Sequence, residues 1–173
     1  MKNFKVKITK KPFRNSKRFF LYYSMESSVK KKIEYFCAYQ ERCHLDVINK
    51  LSKLGVFGVH VDEYICYLID ENFLSETRYS EAYVRGKFNN NNWGRVKIIS
   101  ELKSRNISEW NINNALLQID ESEYEKKLSK ICEKQVQQIS GTSSEVRNKI
   151  IRRLAQKGWE TELIIKCLNR PIK

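Results

Sequence analysis

Three stretches of this chain share one apolar spacing and one turn position: RCHLDVINKLSKLGV (42–56), WGRVKIISELKSRNI (93–107) and EVRNKIIRRLAQKGW (145–159). Between the last two, Arg95 stands against Arg147, Lys97 against Lys149 and Ile98-Ile99 against Ile150-Ile151. Leu102 then matches Leu154, Arg105 matches Lys157, Asn106 matches Gly158 and Ile107 matches Trp159. In the first stretch Val47-Ile48, Leu51, Gly55 and Val56 take the same places. A repeat of this kind marks a supersecondary unit too small to bury its own apolar face, so neighbouring copies must stack. Gly and Asn readily take the left-handed conformation that closes a helix, and the apolar residue after each folds back on the last turn. A further helix is expected after each copy, at 62–70, 109–119 and 161–169. An amphipathic segment precedes each copy. It runs through Val29, Ile33, Phe36, Cys37 and Gln40 in the first unit, and through Tyr79, Ala82, Tyr83 and Gly86 over 76–88 in the second. In the third it covers 122–139, with Leu128, Ile131, Cys132, Gln135, Val136 and Ile139.

The expected fold is therefore all-α: an elongated, curved array of three tandem three-helix units at 26–74, 75–120 and 121–173. The charged junctions DENFLSETR (70–78) and DESE (120–123) hold neither Gly nor Pro and read as short, stiff joints. Residues 1–25 form a basic, aromatic N-terminal arm, read either as disordered or as a short hairpin from FKVKI and RFFLYY. In the NNNNWG link, Asn89 or Asn90 is expected to close one helix and Asn92 to cap the next. Ser144 is expected to take that capping place in the third unit. Trp93 has no apolar counterpart in the repeat and reads equally as a core lid or a surface contact.

The formal net charge of +13 is unevenly spread. Residues 1–32 hold 11 of the 33 Lys and Arg and one of the 20 acids, leaving 22 bases against 19 acids beyond. Such an arm attracts polyanions, because neutralised phosphates release condensed counterions. Lys10, Lys11, Arg14, Lys17 and Arg18 are its candidate contacts. On the repeat helices, Lys97 and Arg105 of the second unit align with Lys149, Arg152, Arg153 and Lys157 of the third. Asp46 and Leu54 occupy the corresponding places in the first unit, which therefore lacks this stripe. Taken alone, a basic stripe is as readily a solvated face as a binding one. Arg95 and Arg147 lie in a first helical turn, where the helix dipole disfavours a cation. They are expected either to pair with a carboxylate of a neighbouring helix, Glu81 being the candidate for Arg95, or to reach a partner.

The sequence has no GxGxxG or GxxxxGK[ST] phosphate loop, no CxxC pair and no nucleophile–base pattern around its two histidines. Neither an enzyme nor a cofactor or metal is expected. The five cysteines read as small core hydrophobes. FFLYY (19–23) is too short to span a bilayer, which points to a cytoplasmic protein with no membrane partner.

The stretch ETRYSEAYVRGKF…WGRVKIISELKSRNI (76–107) resembles the central signature of RecX proteins, bacterial regulators of the RecA recombinase. Tyr79, Ala82, Tyr83, Val84 and Arg85 match its first helix, and Gly94, Lys97, Ile98, Glu101, Leu102 and Ile107 its second. Asn106 stands where a Gly is usual. The likeness covers about residues 30–170. It implies a monomeric, non-enzymatic modulator that lodges in the groove of the RecA filament on single-stranded DNA, with double-stranded DNA as a further partner. It also implies restraint of filament growth, ATP hydrolysis, strand exchange and repressor cleavage. Tyr83, Arg85, Lys87, Arg95, Lys97, Arg105, Lys149, Arg152, Arg153 and Lys157 are the expected contacts. Tyr79 and Tyr83 are read more as interhelical packing than as base-stacking groups. Two other classes stay open. One is a helix-turn-helix DNA reader using Asn111, Asn113, Asn114 and Lys166. The other is a protein-interaction adaptor without direct DNA contact.

Overall fold

The computed structural model describes residues 26–169, where all regular structure is helical: α1 Ser27–Tyr39, α2 His44–Lys53, α3 Val59–Asp70, α4 Glu76–Asn91, α5 Arg95–Lys103, α6 Glu109–Leu116, α7 Glu121–Gln138, α8 Ser143–Gln156 and α9 Thr161–Leu168. The basic arm, with Lys10, Lys11, Arg14, Lys17 and Arg18, lies outside the described residues. The helices fall into three groups of three, as the repeat predicts.

The repeat helices α2, α5 and α8 end alike. Gly55 (φ 82°), Asn106 (φ 58°) and Gly158 (φ 82°) are left-handed. The next residues, Val56, Ile107 and Trp159, return their N–H groups to the carbonyls of Leu51, Leu102 and Leu154 at 3.0, 3.2 and 3.1 Å. The left-handed residues also bond back, to Ser52, Lys103 and Ala155. Together these bonds satisfy carbonyls that a helix end otherwise leaves open. They also fold Ile107 and Trp159 into the core, while Val56 stays half-buried.

The asparagine link differs from the expectation. Helix α4 runs on through Asn89, Asn90 and Asn91, and Asn92 is the left-handed residue (φ 54°, ψ 43°). Gly94, not Asn92, caps α5, and Thr142, not Ser144, caps α8. The extra helical turn follows from where the next residue can go. Trp93 returns its N–H to the Lys87 carbonyl at 3.1 Å only when the left-handed step falls at Asn92. At α8, Thr142 and Glu145 form a reciprocal box: the Thr142 hydroxyl accepts from the Glu145 amide, and the Glu145 carboxylate accepts from the Thr142 amide.

There are two cores among the described residues. Val29, Ile33, Cys37, Val47, Leu51, Tyr64, Tyr67, Leu68 and Leu74 make up that of the first unit. The second and third units share one, running from Tyr79, Val84 and Phe88 through Ile98 and Leu102 to Tyr124, Leu154, Trp159 and Ile164. The first unit joins this larger body through Cys43 and Leu45 and through polar pairs. Arg78 reaches Glu41 at 2.8 Å, His44 reaches Glu76 at 2.8 Å and Arg105 reaches Asp46 at 3.6 Å.

The seam between the second and third units joins two helix ends. The Gly94 N–H donates to the Lys157 carbonyl (2.9 Å) and the Val96 N–H to the Gly158 carbonyl (3.1 Å). The Arg95 N–H donates to the Tyr124 hydroxyl (3.0 Å), which donates to Glu160 (2.6 Å). Amides at the start of α5 and carbonyls at the end of α8 have no partners within their own helices, so each end satisfies the other. Only glycine allows this approach at two points. A Cβ on Gly94 would fall 2.2 Å from the Gly158 oxygen, and one on Gly158 would fall 2.3 Å from the Lys97 backbone nitrogen. Beside the seam, Phe88, Tyr124 and Trp159 pack together with ring centroids 4.6–6.3 Å apart.

Cys37, Cys43 and Cys132 are buried as core hydrophobes, and burial pushes the Cys37 thiol up to about 11 and that of Cys132 up to about 12. Cys66 is exposed and Cys167 half-buried. Cys66 thus departs from the reading of every cysteine as a core residue, because α3 turns its side away from the first unit's core. No helix among the described residues is long and apolar enough to cross a membrane.

Candidate partner-binding face

Eight of the ten expected contact residues fall into two adjoining groups. The first is a chain of alternating cations and rings along α4, the link and α5. Lys97 Nζ lies 4.5 Å from the centre of the Trp93 ring, and Lys87 Nζ lies 4.9 Å from the same ring. Lys87 is also 5.2 Å from the Tyr83 ring, and the Arg105 guanidinium is 5.6 Å from Tyr83. Cations are held over ring faces by the aromatic quadrupole, so the lysines stand at set positions without an anion to hold them. Trp93, half-buried between two lysines, is thus both a lid on the larger core and part of the surface. No periodicity could assign it, because it lies in a link and its partners come from two different helices.

The second group is the α8 stripe. Lys149, Arg152, Arg153 and Lys157 are all exposed, and Arg153 donates to Gln135 at 3.2 Å. The bond from Gly94 to Lys157 brings the end of this stripe beside the start of α5, next to the lysine–tryptophan series.

Several expected contacts have partners within the chain. Arg95 pairs with Glu121 at 2.8 Å, not with Glu81, and lies 4.1 Å from the Tyr124 ring. The bond from the Arg95 amide to the Tyr124 hydroxyl brings the first turn of α7, with Glu121, within reach of the guanidinium. Arg105 spans to Asp46 in the first unit. The acid that breaks the basic stripe in unit one is therefore the partner of the stripe's own residue in unit two. Tyr79 is buried and packs 5.8 Å from Tyr83, which is half-buried. Burial pushes the Tyr83 hydroxyl above its ordinary value, with Arg105 opposing. On α5, Val96 is 54% exposed, while Ile98 and Leu102 are fully buried. Arg85 is exposed on α4.

Sequence reasoning passed over Arg42 and Lys127. Arg42 lies 4.1 Å from the Phe36 ring, and Lys127 lies 4.3 Å from Phe88 while its ammonium donates to the Asn89 carbonyl at 3.2 Å. Neither belongs to a repeated position, so the comparison of copies gave no signal for them.

The units form a helical array that buries its apolar faces between helices and sets most of its cations outward. The sequence pattern of the RecX second three-helix domain matches residues 75–116. Regulatory protein RecX of Oceanobacillus iheyensis is 29% identical over 131 residues, 75% of this chain and 48% of that protein. Its counterpart in Clostridium tetani is 28% identical over 127 residues, 72% of this chain and 58% of that protein. The crystal structure of RecX from Lactobacillus salivarius superposes with a TM-score of 0.72 at 25% identity, covering 82% of this chain and 93% of that one. A second crystal structure of regulatory protein RecX shares the fold, with a TM-score of 0.75 at 19% identity over 83% of this chain and 73% of that one. The chain is thus similar to RecX regulatory proteins, in sequence over most of its length and in fold. It spans about half the length of the curated relatives it matches.

Proposed function

We propose that this chain is a non-enzymatic, monomeric modulator of the RecA recombinase. It binds the groove of the RecA filament on single-stranded DNA and restrains filament extension, ATP hydrolysis, strand exchange and co-protease activity. In this reading the units at 26–74, 75–120 and 121–173 follow the groove, and the arm at 1–25 adds phosphate contacts through Lys10, Lys11, Arg14, Lys17 and Arg18. Arg85, Lys87, Lys97, Lys149, Arg152, Arg153 and Lys157 are the contacts, with Tyr83 beside them. Arg95 and Arg105 act at one remove, by holding the units together.

The observation that supports the reading is the continuity of the α8 stripe with the lysine–tryptophan series across the Gly94–Lys157 bond. It makes one positive face from residues of two units, suited to a partner that presents phosphate over a long path. The test is the single-stranded-DNA-dependent ATPase of the cognate recombinase. Substoichiometric chain is expected to slow it, and the Arg152→Glu, Arg153→Glu double variant is expected to lose most of that effect at matched salt. An ATPase unchanged at every ratio of the unaltered chain overturns the proposal.

A further inference from the structure

Between the first and second units lies a groove of about 460 Å³. One wall is the turn after α1 and the first turn of α2, with Glu41, Arg42 and Asp46. The other is a single stripe of α4, in which Tyr79, Ala82, Tyr83, Gly86, Lys87 and Asn90 follow at three- and four-residue steps. Gly86 is the unexplained residue of this stripe. Glycine inside a helix costs about 1 kcal/mol relative to alanine, and close packing against the bare backbone is what usually offsets that cost. Here a Cβ on Gly86 would meet nothing within 4 Å. No contact among the described residues uses the missing side chain. With Ala82 one turn earlier, the α4 backbone lies uncovered along the groove.

The charges of the groove indicate the kind of partner. Both lining carboxylates are taken, Glu41 by Arg78 and Asp46 by Arg105. The cations Lys87 and Arg42 have no carboxylate in ion-pair range among the described residues, and rest instead over aromatic rings. The uncompensated charge is positive. An uncompensated positive charge beside a bare stretch of helix suits a negatively charged helix that packs closely on Ala82 and Gly86.

We infer that this groove seats an acidic helix of the protein partner, packed closely on Ala82 and Gly86 with its carboxylates at Lys87 and Arg42. The inference rests on the recombinase reading and divides that surface: the inter-unit groove takes protein, and the α8 stripe takes phosphate.

The test uses the full chain, with Gly86→Leu to fill the groove and Lys87→Glu to reverse its free charge. The probes are cognate recombinase filament on oligothymidylate, and oligothymidylate alone. Gly86→Leu removes a helix-interior glycine, so its melting temperature is expected to hold or rise. Both variants are expected to bind filament at least about tenfold more weakly, and Gly86→Leu to bind bare oligothymidylate as the unaltered chain does. Filament binding unchanged in both variants overturns the inference while leaving the recombinase reading intact. An equal loss on bare oligothymidylate assigns the groove to nucleic acid and also overturns it. If the unaltered chain binds no filament, the recombinase reading fails and the inference falls with it.

Discussion

Gly55 and Gly158 hold the same backbone angle, φ 82°, yet their neighbourhoods differ. Around Gly55 a Cβ would meet nothing within 4 Å, whereas at Gly158 it would run into the backbone of α5. Gly55→Ala is therefore expected to cost only the left-handed strain, about 1–2 kcal/mol. Gly158→Ala adds a clash with backbone that cannot give way, and is expected to cost more than about 3 kcal/mol. Urea denaturation of the two variants checks this, and equal losses would show that the α5–α8 approach is softer than it looks. The repeat identifies both positions as helix-closing turns. It does not show that one of them is also a point of contact between units. Asn106, the left-handed residue of the middle copy at φ 58°, shows that the turn itself accepts a side chain.

At the scale of elements, the repeat helices carry two kinds of information. Their lower faces are legible in sequence: Leu51, Leu102 and Leu154 are all buried, as the spacing predicts. Their ends are less so. The start of α5 is held by the end of α8 and by Tyr124, whose hydroxyl accepts from the Arg95 amide and donates to Glu160. Tyr124→Phe keeps the ring packed on Trp159 but leaves the amide and the carboxylate without their partner. It is expected to cost about 1–3 kcal/mol, read as a lower denaturation midpoint. A change within about 0.5 kcal/mol, as at an ordinary surface site, would mean that solvent replaces the hydroxyl at this seam. The extension of α4 through Asn91 belongs here too. Local preference allows asparagine to end a helix at several places in that run, and packing of Phe88 and Trp93 selects Asn92.

For the whole molecule, the arrangement of cores sets the order of opening. The first unit has its own small core and meets the rest through Cys43, Leu45 and polar pairs, whereas the second and third units share one apolar interior. Exposed or half-exposed ion pairs contribute little, about 0–1 kcal/mol each. Native-state hydrogen exchange is therefore expected to show the amides of α1–α3 opening as a group at lower free energy than those of α4–α9. A single opening energy across α1–α9 would instead show that the junction is as strong as the cores. A first unit that moves against a fixed pair would also change the width of the groove at Gly86.

The fold class, the grouping of helices in threes and the left-handed turns at Gly55, Asn106 and Gly158 follow from the sequence alone. Each depends on local spacing and on the conformational range of single residues, and three copies of one pattern make both visible. The pairing of Arg95 with Glu121, the place of Trp93 between Lys87 and Lys97, and the merging of two units into one core depend on which helix ends meet. Those contacts join residues far apart in the chain, at positions where the copies differ. A repeat therefore carries no trace of them, and they exist only once α5 has docked on the end of α8.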